Sequence, residues 1–221
     1  MSAQGSTSVG PRPTIAIVDY GIGNLRSAEK ALQFIGADAA LTSDAVEIAG
    51  ADAVVVPGVG HFGACMAALA ESGLEGAVRD VAVSGRPFLG ICVGMQMLFD
   101  GSDEAPDIPG LGIVAGRARR LPATEKLPQI AWNTVEVEPR SELFGDRREP
   151  WVYFVHSYAC DADDPAVVTG WATYGHRYAA AIEQGSVWAT QFHPEKSGRV
   201  GLDLLRNFVA VAARSANPSV I

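Results

Sequence analysis

The sequence predicts a doubly wound α/β fold, in which a mixed sheet carries helices on both faces. Three apolar runs, TIAIVDY (14–20), DAVVVPG (52–58) and RPFLGIC (86–92), have the length and composition of buried parallel strands. Each run is followed by a segment with apolar residues at helical spacing. Alternation of strand, turn and helix is typical of a doubly wound sheet.

The helices between these strands are predicted from periodic apolar residues. After the first two strands these residues are Leu25, Ala28, Leu32 and Ile35, and then Phe62, Met66 and Leu69. Gly36 is a plausible C-cap of the first helix. VGMQMLF (93–99) follows the third strand directly and is predicted to be a helix.

The second half of the chain is rich in short strand-like segments. They are TVEVE (134–138), WVYFVHSY (151–158), AVVTGWATY (166–174), YAAAIEQ (178–184) and SVWATQF (186–192). Short turns separate several of them, which predicts antiparallel strands added to the sheet. A last helix is predicted to present Leu202, Leu205, Val209 and Ala212 on one face. We expect residues 1–13 to be a disordered extension, residues 14–213 one domain and residues 214–221 a flexible tail.

Composition narrows the classes of function. The chain has 221 residues, 48% of them hydrophobic, and a formal net charge of −8, which argues against nucleic acid as a main partner. The sequence has neither a membrane-length apolar run nor an apolar signal region at its start. Three widely spaced cysteines without a CxxC pair predict a reducing, cytoplasmic setting.

The segment Gly90-Ile91-Cys92-Val93-Gly94 predicts a nucleophile. A strand enters this segment and a helix leaves it, as in the nucleophile elbow of serine hydrolases, with sulfur in place of the hydroxyl. The glycines permit the tight turn, and the start of the helix favours a thiolate. An isolated cysteine is usually a buried structural residue, which is how we interpret Cys65 and Cys160.

A cysteine nucleophile needs a base, and the base needs a group that orients it. His193 and Glu195, in QFHPE (191–195), supply both, and we expect the two side chains to point to the same side of an extended segment. Among the other histidines, His61 is expected to cap a helix, and His176 to face solvent. No acid follows His156 at useful spacing.

These motifs resemble those of the class I glutamine amidotransferases. GICVGMQMLF and QFHPEKS are similar to the catalytic pair of that family. VDYGIGNLRSAEKAL, PGVGHFGACMAAL, FVHSYAC and HPEKSG resemble the glutaminase subunits of imidazole glycerol phosphate synthase, from about Thr14 to about Ala213. The resemblance implies a flavodoxin-like glutamine amidotransferase domain over 14–213.

The resemblance also implies an activity and a partner. Glutamine is hydrolysed through a thioester, and the ammonia passes to a (β/α)8-barrel cyclase subunit in a heterodimer. The cyclase converts a phosphoribulosyl-formimino-carboxamide ribonucleotide (PRFAR) to imidazole glycerol phosphate and an aminoimidazole carboxamide ribotide (AICAR). The resemblance implies no metal and no organic cofactor in this subunit.

Individual roles follow from the same resemblance. Cys92 is the nucleophile, His193 the general base and acid, and Glu195 its orienting group. The oxyanion hole is assigned to backbone groups of Gly58, Val59 and Val93, and substrate binding to Gln96, Glu104, Ser157 and Tyr158. The cyclase interface is assigned to Asn24, Trp132 and Lys196.

Several of these residues have structural alternatives. Gln96 is also compatible with an exposed helix position, and Glu104 with a solvated charge in a polar loop. PGVG is also typical of an ordinary turn after a strand. Trp132 has the alternative of a core aromatic residue, and Lys196 that of a solvated helix start.

Three other functions compete with this interpretation. GIGN (21–24) and Asp44 partly match a dinucleotide-binding fingerprint, but the third glycine is missing. The chain is also compatible with the glutaminase subunit of another synthase, such as pyridoxal phosphate synthase, although DYGIGN and PGVG favour the histidine pathway. The third alternative is a scaffold without activity, which an intact Cys, His and Glu set argues against.

Overall fold

Fourteen strands and six helices form the part of the chain that the computed structural model describes, residues 12–216. The strands are β1 (Thr14–Val18), β2 (Asp38–Thr42), β3 (Ala53–Gly58), β4 (Phe88–Cys92), β5 (Gly101–Ser102), β6 (Ala105–Pro109), β7 (Gly116–Arg120), β8 (Gln129–Thr134), β9 (Glu136–Val137), β10 (Trp151–His156), β11 (Tyr158–Ala162), β12 (Val168–Tyr174), β13 (His176–Gln184) and β14 (Val187–Thr190). The helices are α1 (Leu25–Phe34), α2 (Ala45–Gly50), α3 (Phe62–Glu71), α4 (Glu75–Val83), α5 (Val93–Met97) and α6 (Gly198–Ala216), with 3-10 turns at Pro165–Val167 and Pro194–Lys196.

A parallel group of strands forms the centre of the molecule. The large sheet has 12 strands in the order β2-β1-β3-β4-β14-β13-β11-β7-β5-β6, while β12 pairs with β13 and β9 pairs with β12. The first five strands in this order are parallel to one another. Every residue of β3 and β4 is buried, so both faces of the sheet are covered there. Helix α1 packs against α6, and α2 packs against α4. The predicted mixed α/β fold is confirmed.

Strand β14 differs from its prediction. We expected it among the antiparallel strands, but it pairs in parallel with β4 and in antiparallel with β13. It therefore joins the parallel and antiparallel parts of the sheet. Because neighbouring parallel strands end at the same sheet edge, the residues after β14 meet the residues after β4.

Two other predicted strands do not extend the large sheet as expected. WVYFVHSY divides at Ser157, and its first part, β10, pairs with β8 in a separate two-stranded sheet. TVEVE also divides, because Thr134 ends β8 whereas Glu136 and Val137 form β9. Alternating residues of β10 are buried, so this small sheet packs one face on the body of the domain.

The buried face of α6 is rotated from the predicted one. Leu205 and Ala212 are buried as expected, but Leu202 and Val209 are only partly buried. Leu204 and Phe208 take their place, and the Phe208 ring lies 6.1 Å from the ring of Trp188. The sequence of α6 is apolar on two adjacent stripes, and the stripe that includes Leu204 and Phe208 is the buried one.

The predicted domain boundaries remain predictions, because the described residues include only part of each terminus. Helix α6 continues to Ala216, three residues beyond the expected end of the domain at residue 213. The predicted extension, apart from Arg12 and Pro13, and the last five residues of the predicted tail lie outside the described residues. Within residues 12–216, no helix combines the length and the apolar character that crossing a membrane requires.

Candidate active site

Cys92 lies on a sharp turn between β4 and α5. Its backbone has φ of 58° and ψ of −111°, and among the described residues it alone has a positive φ without being glycine. A β-strand directly before it and a helix directly after it leave no other residues in which to make the turn. Strained backbone of this kind costs about 1–3 kcal/mol and is common at functional sites. The geometry is that of a nucleophile elbow.

The glycines that flank Cys92 are required by close backbone contacts. A Cβ atom on Gly94 would lie 1.9 Å from the carbonyl oxygen of Val56, in the neighbouring strand β3. A Cβ atom on Gly90 would lie 2.8 Å from the carbonyl oxygen of Gly94. A larger residue at either position would therefore push the turn away from the sheet.

His193 and Glu195 form a buried pair beyond the end of β14. The Nδ1 atom of His193 lies 2.8 Å from Oε1 of Glu195, and both side chains are almost fully buried. We expected an extended segment here, but residues Pro194–Lys196 form a 3-10 turn. The turn still brings the carboxylate to the ring. A carboxylate there holds the proton on Nδ1 and leaves Nε2 as the nitrogen for chemistry.

The surroundings of His193 favour its charged form. Burial alone lowers its pKa, but interactions with the Cys92 sulfur and the Glu195 carboxylate outweigh burial and raise the pKa to about 9. Nε2 has no hydrogen-bond partner among the described residues, so its alignment with the sulfur is incomplete. Contacts of this kind often become shorter only when substrate binds.

A cleft of about 560 Å³ opens beside Cys92. Most of the predicted residues line it, namely Asn24, Val59, Cys92, Val93, Gln96, Glu104, Ser157, Tyr158, His193 and Lys196. Glu195 does not line it, because it lies behind the His193 ring. Trp132 does not line it either. It lies within β8 and is 48% exposed, so it is not the core aromatic residue of the alternative interpretation.

The loop after β3 packs directly on the elbow. Gly58 is the register partner of Cys92, and a Cβ atom on Gly58 would lie 2.7 Å from the Gly94 nitrogen and 2.9 Å from Cβ of Val93. The Val59 carbonyl accepts a hydrogen bond from the Cys65 thiol at 3.3 Å. The backbones of the predicted oxyanion segments are therefore in contact, and buried Cys65 helps to hold the loop.

The side chains of Gln96 and Glu104 both form hydrogen bonds within the protein. Gln96 is buried, not exposed, and its Nε2 donates to the Tyr158 carbonyl at 3.0 Å. Glu104 lies in the tight turn between β5 and β6, where its Oε2 accepts from the Phe62 backbone at the start of α3 at 2.7 Å. The polar loop is thus a hairpin turn, and Glu104 Oε1 is the oxygen left for a ligand.

The other three histidines are in positions that do not suit the catalytic base. His61 caps α3, because its Nδ1 accepts from the Gly63 backbone at 3.1 Å, and His176 is exposed. His156 is buried, which lowers its pKa to about 4. Its Nδ1 lies 2.9 Å from the Tyr158 carbonyl.

The features that suggested other sites also have structural explanations. Asp44 was the acid that partly matched a dinucleotide-binding fingerprint. Its carboxylate instead caps α2, where it accepts a hydrogen bond from the Val46 backbone N–H at 2.7 Å. Cys160 is buried within β11. Among residues 12–216 there is no group of His, Cys, Asp and Glu side chains arranged to hold a metal ion.

One side chain in contact with the Cys92 sulfur was not predicted. Gln191 is fully buried, and its Nε2 lies 3.8 Å from the Cys92 sulfur. It stands two residues before His193 in QFHPE, and that proximity was the signal available in the sequence.

Comparison with known proteins agrees with this geometry. The family Glutamine amidotransferase class-I matches residues 16–212. The imidazole glycerol phosphate synthase subunit HisH of Symbiobacterium thermophilum is 47% identical over 88% of this chain and 92% of its own length. The same subunit of Deinococcus radiodurans is 47% identical over 92% of this chain and 96% of its own length.

A solved structure shares the fold. A crystal structure of glutamine amidotransferase superposes with a TM-score of 0.72, at 24% identity, over 90% of this chain and 98% of that chain. The elbow, the buried histidine–carboxylate pair and these similarities lead to one assignment. The chain belongs to the class-I glutamine amidotransferases and, within them, to the HisH family of imidazole glycerol phosphate synthase subunits.

Proposed function

We propose that this chain hydrolyses glutamine to glutamate and ammonia through a thioester on Cys92. The observation that carries the proposal is the position of Cys92. It lies on a strained elbow in the same cleft as His193, whose other ring nitrogen is held by Glu195. A nucleophile, a base and an orienting carboxylate form the arrangement that acyl transfer requires.

In the first half of the reaction the Cys92 thiolate attacks the carboxamide carbon of glutamine. A C–S bond forms, and the carbonyl electron pair moves to the oxygen. When the adduct collapses, the C–N bond breaks, and protonated His193 gives its proton to the nitrogen, which leaves as ammonia. The pKa of about 9 for His193 supports this step, because the ring then holds that proton at neutral pH.

In the second half water hydrolyses the thioester. Neutral His193 takes a proton from the water as the oxygen attacks the thioester carbon. The C–S bond then breaks, glutamate leaves, and the thiolate and the protonated ring are restored. Glu195 keeps the ring in one orientation throughout, because its Oε1 accepts the Nδ1 proton.

Backbone groups next to Cys92 are proposed to stabilise the oxyanion. The Val93 N–H is the first of the short helix α5, and the Gly58–Val59 segment packs against that helix start. Each donor of this kind is worth about a hundred- to a thousandfold in rate. Both segments reach the cleft, since Val59 and Val93 line it.

The remaining lining residues are proposed to hold the amino-acid end of glutamine. Glu104 is assigned to the α-amino group, and its free oxygen supports that role. Ser157 and Tyr158 are assigned to the α-carboxylate. The Ser157 carbonyl is occupied by the Leu121 N–H at 2.9 Å, so in a trans peptide the Tyr158 N–H points the opposite way, away from β7.

A barrel cyclase is the proposed partner, in a heterodimer that turns PRFAR into imidazole glycerol phosphate and AICAR. An exposed apolar face supports an interface beside the cleft: Ile130 and Trp132 on β8 and Trp151 on β10 are 61%, 48% and 57% exposed. Asn24 and Lys196 lie at the mouth of the cleft and are assigned to the same interface. The HisH names of the relatives favour this partner over pyridoxal phosphate synthase.

The remaining proposals concern the location of the protein in the cell and its other binding partners. We place the chain in the cytoplasm, where a biosynthetic synthase would act, and we assign it neither a nucleic-acid nor a membrane partner. The formal charge of −8 supports the first of these two exclusions. No cofactor is assigned, because each proposed step uses only side chains, backbone groups and water.

Replacement of the nucleophile tests the proposed function. In a complex with the cyclase, Cys92→Ala is expected to abolish synthesis from glutamine but to retain synthesis from ammonium salts, because Cys92 only produces ammonia. Cys160→Ala serves as the matched control, since Cys160 is a buried cysteine outside the cleft. Glutamate release by the Cys92→Ala complex at a rate near that of the unaltered complex would disprove the role.

A further inference from the structure

Gln191 connects the end of β14 to the nucleophile. Its side chain is fully buried, and its Nε2 lies 3.8 Å from the Cys92 sulfur, within hydrogen-bonding range for sulfur. Its Oε1 lies 3.1 Å from Nε2 of Gln96. Buried amides of this kind are held by their partners, so those partners determine which end of Gln191 faces the sulfur.

The partners of Gln96 settle that orientation. The Tyr158 carbonyl can only accept hydrogen bonds, so the Gln96 atom 3.0 Å from it must be the amide nitrogen. The second hydrogen of the same nitrogen points to Gln191, which must therefore present its oxygen. The nitrogen of Gln191 is then the atom that faces Cys92. Each amide has one arrangement that satisfies all these contacts.

His156 fixes the Tyr158 carbonyl from the other side. Its Nδ1 lies 2.9 Å from this carbonyl and must carry a proton there. Because burial holds the pKa of His156 near 4, the ring is neutral, and its Nε2 lies 3.3 Å from the Tyr178 oxygen. The Tyr178 hydroxyl donates to Oε1 of buried Gln129 at 2.8 Å.

We propose that Gln191 is a further catalytic residue, which donates an N–H hydrogen bond to the Cys92 sulfur. The bond stabilises the thiolate before attack and again when sulfur leaves the thioester. The proposal rests on the proposed glutaminase function. His156 and Gln96 act through Gln191 as positioning residues, since their contacts hold its amide in the donating orientation. The network is neutral, so it adds a donor without adding a charge to the buried site.

The rate of Cys92 alkylation tests this proposal without glutamine. In the full chain, Gln191→Leu is expected to be alkylated at Cys92 by iodoacetamide about tenfold more slowly at pH 7, since the thiolate loses a hydrogen bond that stabilises its charge. Gln184→Leu is the matched control, because Gln184 donates to the Ile113 carbonyl far along β13. An unchanged Cys92 rate in folded Gln191→Leu overturns the proposal.

A second measurement needs no variant at position 191. In a nitrogen–proton NMR spectrum, the side-chain amide signal of Gln191 is expected to move when Cys92→Ala removes the sulfur. The amide signal of Gln184 is expected to stay in place in the same variant. A Gln191 signal that is the same in both proteins overturns the donor role. Neither measurement involves turnover, so a chain that failed to hydrolyse glutamine would be recognised separately.

Discussion

The surrounding structure keeps the His193 ring positively charged at neutral pH. Its pKa of about 9 exceeds the ordinary value of 6.5 because the Cys92 and Glu195 interactions outweigh burial. Below pH 6.5 the ring is protonated in the folded and in the unfolded chain, so its contribution to stability is fully present. As the pH rises from 6.5 through about 9, the unfolded chain loses the proton first and that contribution disappears.

This pKa can be measured directly. In nitrogen NMR spectra of the full chain, the His193 ring is expected to titrate near pH 9. Glu195→Gln and Cys92→Ser are each expected to lower the midpoint, because each removes an interaction with the protonated ring. A His193 midpoint at or below the ordinary histidine value of 6.5 would mean that the ring is neutral in the resting site at pH 7.

Residues with distinctive chemistry were predictable, and those whose role depends on contacts were not. Cys92, His193 and Glu195 stand in short motifs with a glycine or proline beside them. Gln191 has no such signal, because its role depends on a sulfur 99 residues earlier in the chain. The hydrogen bond from the Phe62 backbone to Glu104 could not be predicted for the same reason, because the two residues are 42 positions apart in the sequence.

At the scale of elements, the elbow depends on the absence of a side chain at Gly94. Gly94→Ala would place Cβ 1.9 Å from the Val56 carbonyl, and the neighbouring strand cannot move without breaking the sheet. We expect a loss of about 3 kcal/mol in the free energy of unfolding, the upper end of the usual cost of overpacking, together with loss of glutaminase activity.

Gly76→Ala is the matched control for this change. Gly76 lies in α4, and nothing lies within 4 Å of the position of its added Cβ. Alanine in a helix is favoured over glycine by up to about 1 kcal/mol, so this variant is expected to be slightly more stable. Urea unfolding of both variants measures the comparison. Equal stability of Gly94→Ala and the unaltered chain would contradict the close contact at the elbow.

The types of the strands and helices were easier to predict than the pairing of strands and the packing of helices. The apolar runs of β1, β3 and β4 are evident in the sequence, but no local pattern shows that β14 pairs in parallel with β4. The rotation of α6 has a similar cause, since the sequence offers two apolar stripes and the helix packs against α1 and β10, which are distant in the sequence. Strand β2 and helices α2 and α4 carry weaker patterns, and no prediction covered them.

At the scale of the whole molecule, the small sheet of β8 and β10 provides the proposed partner face. Trp132 lies on this face, with its ring 6.1 Å from the Tyr153 ring. Aromatic residues of this kind often provide much of the binding energy of an interface. Trp132→Ala is therefore expected to weaken binding to the cyclase by about 2 kcal/mol, or roughly thirtyfold.

Phe34→Ala is the control for this binding measurement. Phe34 is an exposed aromatic residue, 75% accessible, at the end of α1 opposite Asn24. Its helix of 10 residues separates it from the cleft by about 15 Å. Calorimetric titration with the cyclase compares the two variants. If Phe34→Ala weakened binding as much as Trp132→Ala, the partner would bind another face.

The central claim is that Cys92, and neither of the other two cysteines, is the nucleophile that attacks the glutamine carboxamide. An electrophilic glutamine analogue, such as a diazoketone, tests it most directly when the labelled chain is digested and the peptides are weighed. We expect one label per chain, on the peptide that contains Cys92, with Cys65 and Cys160 unmodified and with protection by excess glutamine. Label on Cys65 or Cys160, or label on Cys92 that glutamine does not suppress, would contradict the account.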